Sequence, residues 1–197
     1  GKYLAFMGRL ILEKGAEYAL MASQKANVPL KLASSLLEVN VSDDEYYKKK
    51  ILPHVDTTKT SFVGFLEGTK KSEFLGRAKA FLFPIQWEEP FGMVMLEAMA
   101  CGTPVIAYNR GSVSEIVRDG VTGFIIDPDD VDRPGKGRWV IKKQGVAGLV
   151  EAIKRIGEID RSACRGHVKE HFTVEKMVEG YEKVYEKILG RYGKSGK

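Results

Sequence analysis

The chain alternates between short runs of consecutive apolar residues and longer segments in which apolar residues recur every three or four positions. Short runs that are apolar throughout belong to strands buried on both faces, and the intervening helical period belongs to helices that cover them. Tyr3 to Met7 predicts a first strand, and Lys14 to Ala26 predicts a helix with Ala16, Ala19, Leu20 and Ala22 on its inner face. Leu30 to Ala33 is a second strand, followed by a helix over Asp43 to Leu52 that Pro53 stops. Thr60 to Val63 is a third strand, Lys70 to Lys79 a helix, and Ala80 to Phe83 a fourth strand ended by Pro84. A helix from about Gly92 to Ala100, a strand at Val105 to Ala107, a short helix at Ser112 to Val117 and a strand at Gly123 to Ile126 continue the series. About six strands in regular alternation with helices predict an α/β fold, a three-layer Rossmann-like domain around a parallel sheet.

The pattern then breaks. Pro128, Pro134, Gly135 and Gly137 make the stretch from Asp127 to Gln144 a loop or insertion, in which Trp139-Val140-Ile141 is expected as a small extra strand. The expectation for Arg133 to Lys143 is a solvated excursion, with contact to another domain or partner as the alternative. Beyond Gln144 the chain reads helical, over Val146 to Ile156, Arg161 to His171 and Val174 to Leu189. Residues 1–190 are expected to form one domain, with 191–197 a basic tail that frays from Gly193 onward. A buried strand beginning at residue 3 leaves no room for a cap, so a preceding domain is expected in the full protein.

Composition narrows the class. At 197 residues with 44% hydrophobic content, the chain suits one well-buried domain. No stretch approaches the roughly 20 apolar residues of a membrane span, and no leader pattern opens the chain. Cys101 and Cys164 are far apart and without metal-type spacing, so neither a disulfide framework nor a metal site is expected, and a reducing cytoplasm fits. A formal charge of +5, from 31 Lys+Arg against 26 Asp+Glu, suits an anionic partner. The basic runs Lys48-Lys49-Lys50 and Arg191 to Lys197 lack an aromatic platform, so they read as solvated surface and not as a nucleic-acid face.

Two segments carry candidate chemistry. Gly8-Arg9-Leu10-Ile11-Leu12-Glu13-Lys14-Gly15 puts an arginine and a lysine on the loop leaving the first strand and at the start of the next helix. At the carboxyl end of a parallel sheet they would face a ligand, and a diphosphate suits a planar arginine, a lysine point charge and free helix amides. The other reading is a turn shaped by Gly8 and Gly15 with both cations in solvent. No G-x-G-x-x-G follows the first strand and no Walker loop is present, so neither NAD, FAD nor the usual nucleoside triphosphate site is expected.

The second segment runs from Trp87 to Pro104. Glu89 and Glu97 straddle a strand-to-helix turn in which Pro90 lacks an N–H and Gly92 permits close approach. That leaves the amides around Phe91 to Val94 free for phosphate or sugar oxygens. Glu89 is placed to accept from sugar hydroxyls, and Glu97 from a ribose diol farther along. Glu97 sits between Met95, Leu96, Ala98 and Met99, where a carboxylate is costly without a partner, although an ordinary surface position is the alternative. Glu88 is expected to be exposed, Cys101 to be a small buried residue, and His54, His167 and His171 to be surface or packing histidines.

From Tyr3 to about Leu189 the chain resembles the C-terminal domain of family 4 glycosyltransferases, retaining enzymes of the two-domain GT-B architecture. The resemblance rests on the E-x7-E signature from Glu89 to Glu97 within EEPFGMVMLEAMACGTPVIA, followed by GSVSEIVRDGVTGFIID. It implies that Arg9 and Lys14 neutralise the diphosphate of a nucleotide-sugar donor without a metal or other cofactor. It also implies that the amides of Met93 and Val94 touch phosphate, that Glu89 with the Phe91-Gly92 backbone holds the sugar, and that Glu97 holds the ribose. Gly64-Phe65-Leu66 would line the base. Gly8, in the first loop, counts with the donor-binding residues. An N-terminal domain of the same protein would supply the acceptor site, and the full protein could still associate peripherally with a membrane. One departure is that the second strand ends in Ala33-Ser34-Ser35 where the family has a glycine. A sugar-nucleotide epimerase of the same architecture and a non-catalytic nucleotide-sugar-binding module are the competing readings.

Overall fold

The computed structural model describes residues 1–34, 45–129, 132 and 136–192. Six parallel strands form one sheet in the order β3-β2-β1-β4-β5-β6. They are β1 (Leu4–Met7), β2 (Leu30–Ala33), β3 (Thr60–Phe62), β4 (Ala80–Phe83), β5 (Val105–Tyr108) and β6 (Gly123–Ile126). Each lies within a residue of its sequence-predicted span. In the centre, Leu4 and Ala5 of β1 stand opposite Leu30 and Lys31 of β2 on one side, and opposite Ala80 and Phe81 of β4 on the other. Every residue of β4, β5 and β6 is buried, which is why these strands read as unbroken apolar runs.

Among the described residues the layers are completed by the helices α1 (Ala16–Ala26), α2 (Gly68–Gly76), α3 (Met93–Ala100), α4 (Val113–Ile116), α5 (Gly145–Arg155), α6 (Arg161–His171) and α7 (Val174–Tyr192). Right-handed crossovers from β1 outward in one direction, and from β4 outward in the other, put their helices on opposite faces. Consistently, α1 packs beside α5, and α3 packs beside α2 and α6. All four inner-face residues expected of α1 are 0% exposed.

Four expectations need correction. The helix α1 begins at Ala16, because Lys14 closes a 3-10 turn over Leu12–Lys14 and Gly15 follows at φ 71°. Of the helix expected over Asp43 to Leu52, residues 43 and 44 lie outside the described residues. The remainder is helical as expected, but widens to a π-helix over Tyr47–Ile51 and runs on into a 3-10 turn at Leu52–His54, so Pro53 does not stop it. Proline is tolerated there because the first turn of a helix leaves its N–H groups unpaired anyway.

Trp139-Val140-Ile141 forms no strand. The described part of the insertion is instead fastened by side chains. Asp127 accepts from the Gly137 N–H at 2.7 Å and from Trp139 Nε1 at 3.0 Å, while Asp119 accepts from the Val140 N–H at 2.6 Å. Two carboxylates replace a strand ladder, and the buried Trp139 and Ile141 anchor a stretch whose residues Arg138, Val140, Lys142 and Lys143 are exposed. Finally, Cys101 is half-buried, whereas Cys164 is fully buried. Burial, and secondarily Glu97, pushes the Cys101 thiol up, which keeps it protonated.

Candidate functional site

Strand order reverses between β1 and β4. Loops leaving these neighbouring strands turn to opposite faces and open a crevice at their carboxyl ends, the usual ligand position in an open α/β sheet. Both sequence-predicted clusters stand there, since Gly8 to Gly15 follows β1 and Trp87 to Gly92 follows β4.

The two loops are tied together through the main chain. Gln86 N–H donates to the Glu13 carbonyl at 2.8 Å, and a Cβ on Gly15 would sit 1.9 Å from the Pro84 carbonyl oxygen. Only glycine allows that approach and the positive φ together. Lys14, one residue earlier, is thereby brought to the β4 loop, where its Nζ donates to Glu89 Oε2 at 2.7 Å. The side chains are 24% and 14% exposed, so the pair is sheltered from solvent screening but open to a ligand. On sequence grounds Lys14 and Glu89 have separate tasks, one on phosphate and one on sugar. The fold makes them partners.

Arg9 is exposed and forms no ion pair among the described residues, so its guanidinium is available to an anion. Gly8, Arg9, Phe65 and Leu66, with Ala33 and Ser34, line a cavity of about 180 Å³. The loop expected to line a base therefore meets the loop expected to bind phosphate. Phe65 is 73% exposed, so its ring is open to a ligand. Gly64 stands beside it at φ 72°.

Helix α3 starts at Gly92, whose φ of 77° and missing Cβ suit the turn, because a Cβ would lie 2.6 Å from Met95 Cε. Met95 N–H bonds the Gly92 carbonyl at 3.0 Å, whereas the N–H groups of Met93 and Val94 have no partner among the described residues. The Phe91 carbonyl accepts from Ser112 Oγ at 2.7 Å. This end of α3 therefore offers donors and the helix dipole to a ligand, a setting for negatively charged or oxygen-rich groups. Glu88 is exposed, as expected, and its carboxylate caps the Gly111 N–H at 2.5 Å.

Glu97 is 31% exposed, and Lys71 of α2 donates to its Oε1 at 2.6 Å. The partner that a carboxylate among apolar neighbours requires is thus present. Sequence reasoning missed Lys71, because 26 residues separate it from Glu97 and only the α2–α3 packing brings them together. It also missed Trp87, whose Nε1 donates to Glu89 Oε2 at 3.0 Å. A larger, mostly apolar cleft of about 460 Å³ lies between α3 and the corner of α6 and α7, and shares Phe91, Met93 and Glu97 with the crevice. The charged groups lie in the crevice, so we place the site there. His167 packs within the fold, with Nε2 3.0 Å from the Ile116 carbonyl, and takes no part in the site.

The parallel sheet with helices on both faces is of the Rossmann-like class, and the cations beside the free helix amides at its switch point suit an anionic ligand. Residues 1–137 match the family Glycosyl transferases group 1, and the chain belongs to that family. Glycogen synthase of Mycobacterium tuberculosis is 35% identical over 167 residues, which cover 82% of this chain and 35% of that protein. Among solved structures, a glycosyltransferase involved in avilamycin A biosynthesis, AviGT4, superposes with a TM-score of 0.73 at 21% identity, over 96% of this chain and 52% of that one. The Anabaena protein Alr3699/HepE, solved in complex with UDP and glucose, superposes at 0.72 and 19% identity, over 95% and 48%. The chain thus spans between about a third and half the length of these relatives, and it shares the fold of the part of each solved structure that it covers.

Proposed function

We propose that this chain is the donor-binding domain of a retaining, family 4 hexosyltransferase acting in the cytoplasm, whose acceptor is held mainly by an N-terminal domain. The observation that carries this reading is the Lys14–Glu89 pair beside Arg9 and the amides of Met93 and Val94, which have no partner among the described residues. Arg9, Lys14 and the amides take the charge that develops on the departing nucleoside diphosphate, which is electrostatic stabilisation by prearranged donors. That role needs no metal ion. Glu89 orients the sugar and Glu97, steadied by Lys71, holds the ribose, with Gly64, Phe65 and Leu66 against the base. Alr3699/HepE has also been solved with UDP-glucose, which supports a nucleotide-sugar donor for a chain of the same fold.

Domain closure over the donor would exclude water and favour transfer over hydrolysis, so the isolated chain is expected to bind the donor without completing the reaction. Calorimetric titration with UDP-, GDP- and ADP-sugars tests the reading. One donor is expected to bind, unaffected by EDTA, and Arg9→Ala with Lys14→Ala to weaken it at least about a hundredfold, since each charge-assisted hydrogen bond contributes roughly 1.5 to 3 kcal/mol. Equal binding by the double variant would refute the assignment.

A further inference from the structure

Glu89 is held by an indole as well as by an ammonium. Lys14 Nζ and Trp87 Nε1 both donate to Oε2, at 2.7 and 3.0 Å, while Oε1 accepts from no described residue. The Lys14 ammonium also lies 5.2 Å from the centroid of the Trp87 ring, so the three side chains form a closed triangle. Backbone bonds fix its corners. Glu89 N–H donates to the Trp87 carbonyl at 3.0 Å, and Ser112 N–H donates to the Glu89 carbonyl at 3.0 Å.

The two donors on Oε2 differ in how they respond to a ligand. A lysine ammonium is a mobile point charge on a flexible stem, and a multiply charged diphosphate competes for it. An indole N–H is a neutral donor on a rigid ring with no acceptor atom, and it gains far less from turning to phosphate. When Lys14 is drawn to the diphosphate, the lysine hold on Glu89 loosens at the moment that the carboxylate has to orient the sugar.

We propose that Trp87 is a positioning residue whose indole N–H keeps Oε2 of Glu89 occupied, and Oε1 free for the donor sugar, while Lys14 is shared with the diphosphate. This rests on the reading of Lys14 and Glu89 as donor-site residues. The indole does not touch the reacting atoms in this role. It sets the rotamer of the group that does.

In the full-length enzyme, Trp87→Phe keeps an aromatic ring under the lysine and removes only the N–H. It is expected to lower kcat roughly tenfold with the donor KM changed less than about twofold, the cost of a slightly misplaced orienting group. Trp87→Gln, which restores an N–H donor, is expected to recover part of that loss. A raised KM at unchanged kcat would make Trp87 a sugar platform instead, and wild-type kcat in Trp87→Phe would also overturn the proposal. Glu89→Gln run alongside separates the layers, because normal turnover in that variant removes the donor-site reading itself. Should Trp87→Phe fold poorly, the wild-type protein labelled with 15N-tryptophan decides. The Trp87 indole resonance is expected to keep its hydrogen-bonded shift when the nucleoside diphosphate binds, and its loss on binding would overturn the proposal.

Discussion

Strand β4 and helix α7 use apolar residues in opposite ways. Ala80, Phe81, Leu82 and Phe83 are at most 5% exposed, enclosed by β1, β5 and the helices on both faces. On α7, Val174, Met177, Tyr181, Val184 and Ile188 follow one another at steps of three and four residues, and all are between 45% and 68% exposed. A periodic pattern says which face an element would bury. Whether that face is buried depends on a second surface, which β4 has within the chain and α7 lacks among the described residues. The candidate site is built on the first kind of element, so its geometry is anchored by the core.

Substitutions can break or sharpen that contrast. Leu82→Ala removes a fully buried side chain at the centre of the sheet and is expected to cost about 3 kcal/mol of unfolding free energy in a urea titration. A cost below about 1 kcal/mol would mean that the sheet relaxes freely around the site. Helix α2 is intermediate, with Phe74 and Leu75 buried and Lys71 reaching Glu97 from its partly open side. Lys71→Met is expected to weaken nucleotide binding about tenfold, near 1.4 kcal/mol, while the unfolding midpoint stays close to wild type. An unchanged affinity would detach Glu97 from the site.

Between core and open helix lies α6. Burial holds the His167 imidazole below its ordinary pKa, with the His171 and Arg118 charges adding to the effect against the Ile116 carbonyl bond, and Nδ1 has no partner among the described residues. The neutral form is therefore favoured in the folded state. Nothing is gained or lost above the ordinary histidine value of about 6.5, and stability falls as the pH drops below it because the unfolded chain takes up the proton first. Thermal melts at pH values of about 7.5 and 5.5 are expected to differ less in His167→Gln than in wild type. The smallest effect belongs to α7. Tyr181→Lys with Tyr185→Lys is expected to move the unfolding free energy by no more than about 0.5 kcal/mol and to raise solubility. A loss on the scale of Leu82→Ala would show that the stripe is covered in solution, and the contrast would fall.

The strands were legible because a parallel sheet buried on both faces leaves apolar runs that little else produces. Helix α1 was legible from four inward positions. What failed depended on contacts distant in sequence. Trp139-Val140-Ile141 has strand-like composition, but Asp119 and Asp127 take its hydrogen bonds and its indole, and no spacing rule announces that. In the site, the positions of Arg9, Lys14, Glu89 and Glu97 could be read from the sequence. Their pairings could not, because Lys14–Glu89 depends on Gly15 pressing against Pro84, and Lys71–Glu97 on how α2 lies beside α3.

If the proposed site binds a donor, the Lys14–Glu89 bond also sets a threshold for its occupancy. A lysine that already has a counter-ion does not present a bare positive charge to every small anion that diffuses past. Displacing or sharing that counter-ion costs free energy, which a ligand recovers only by satisfying the carboxylate as well as the ammonium. Inorganic phosphate can answer the ammonium but, in its charged forms, it repels the carboxylate. A molecule that joins phosphates to a hydroxyl-bearing ring answers both at once. At this pair, then, a ligand carrying both phosphates and hydroxyls is favoured over one carrying phosphate alone, whatever Arg9 contributes beside it.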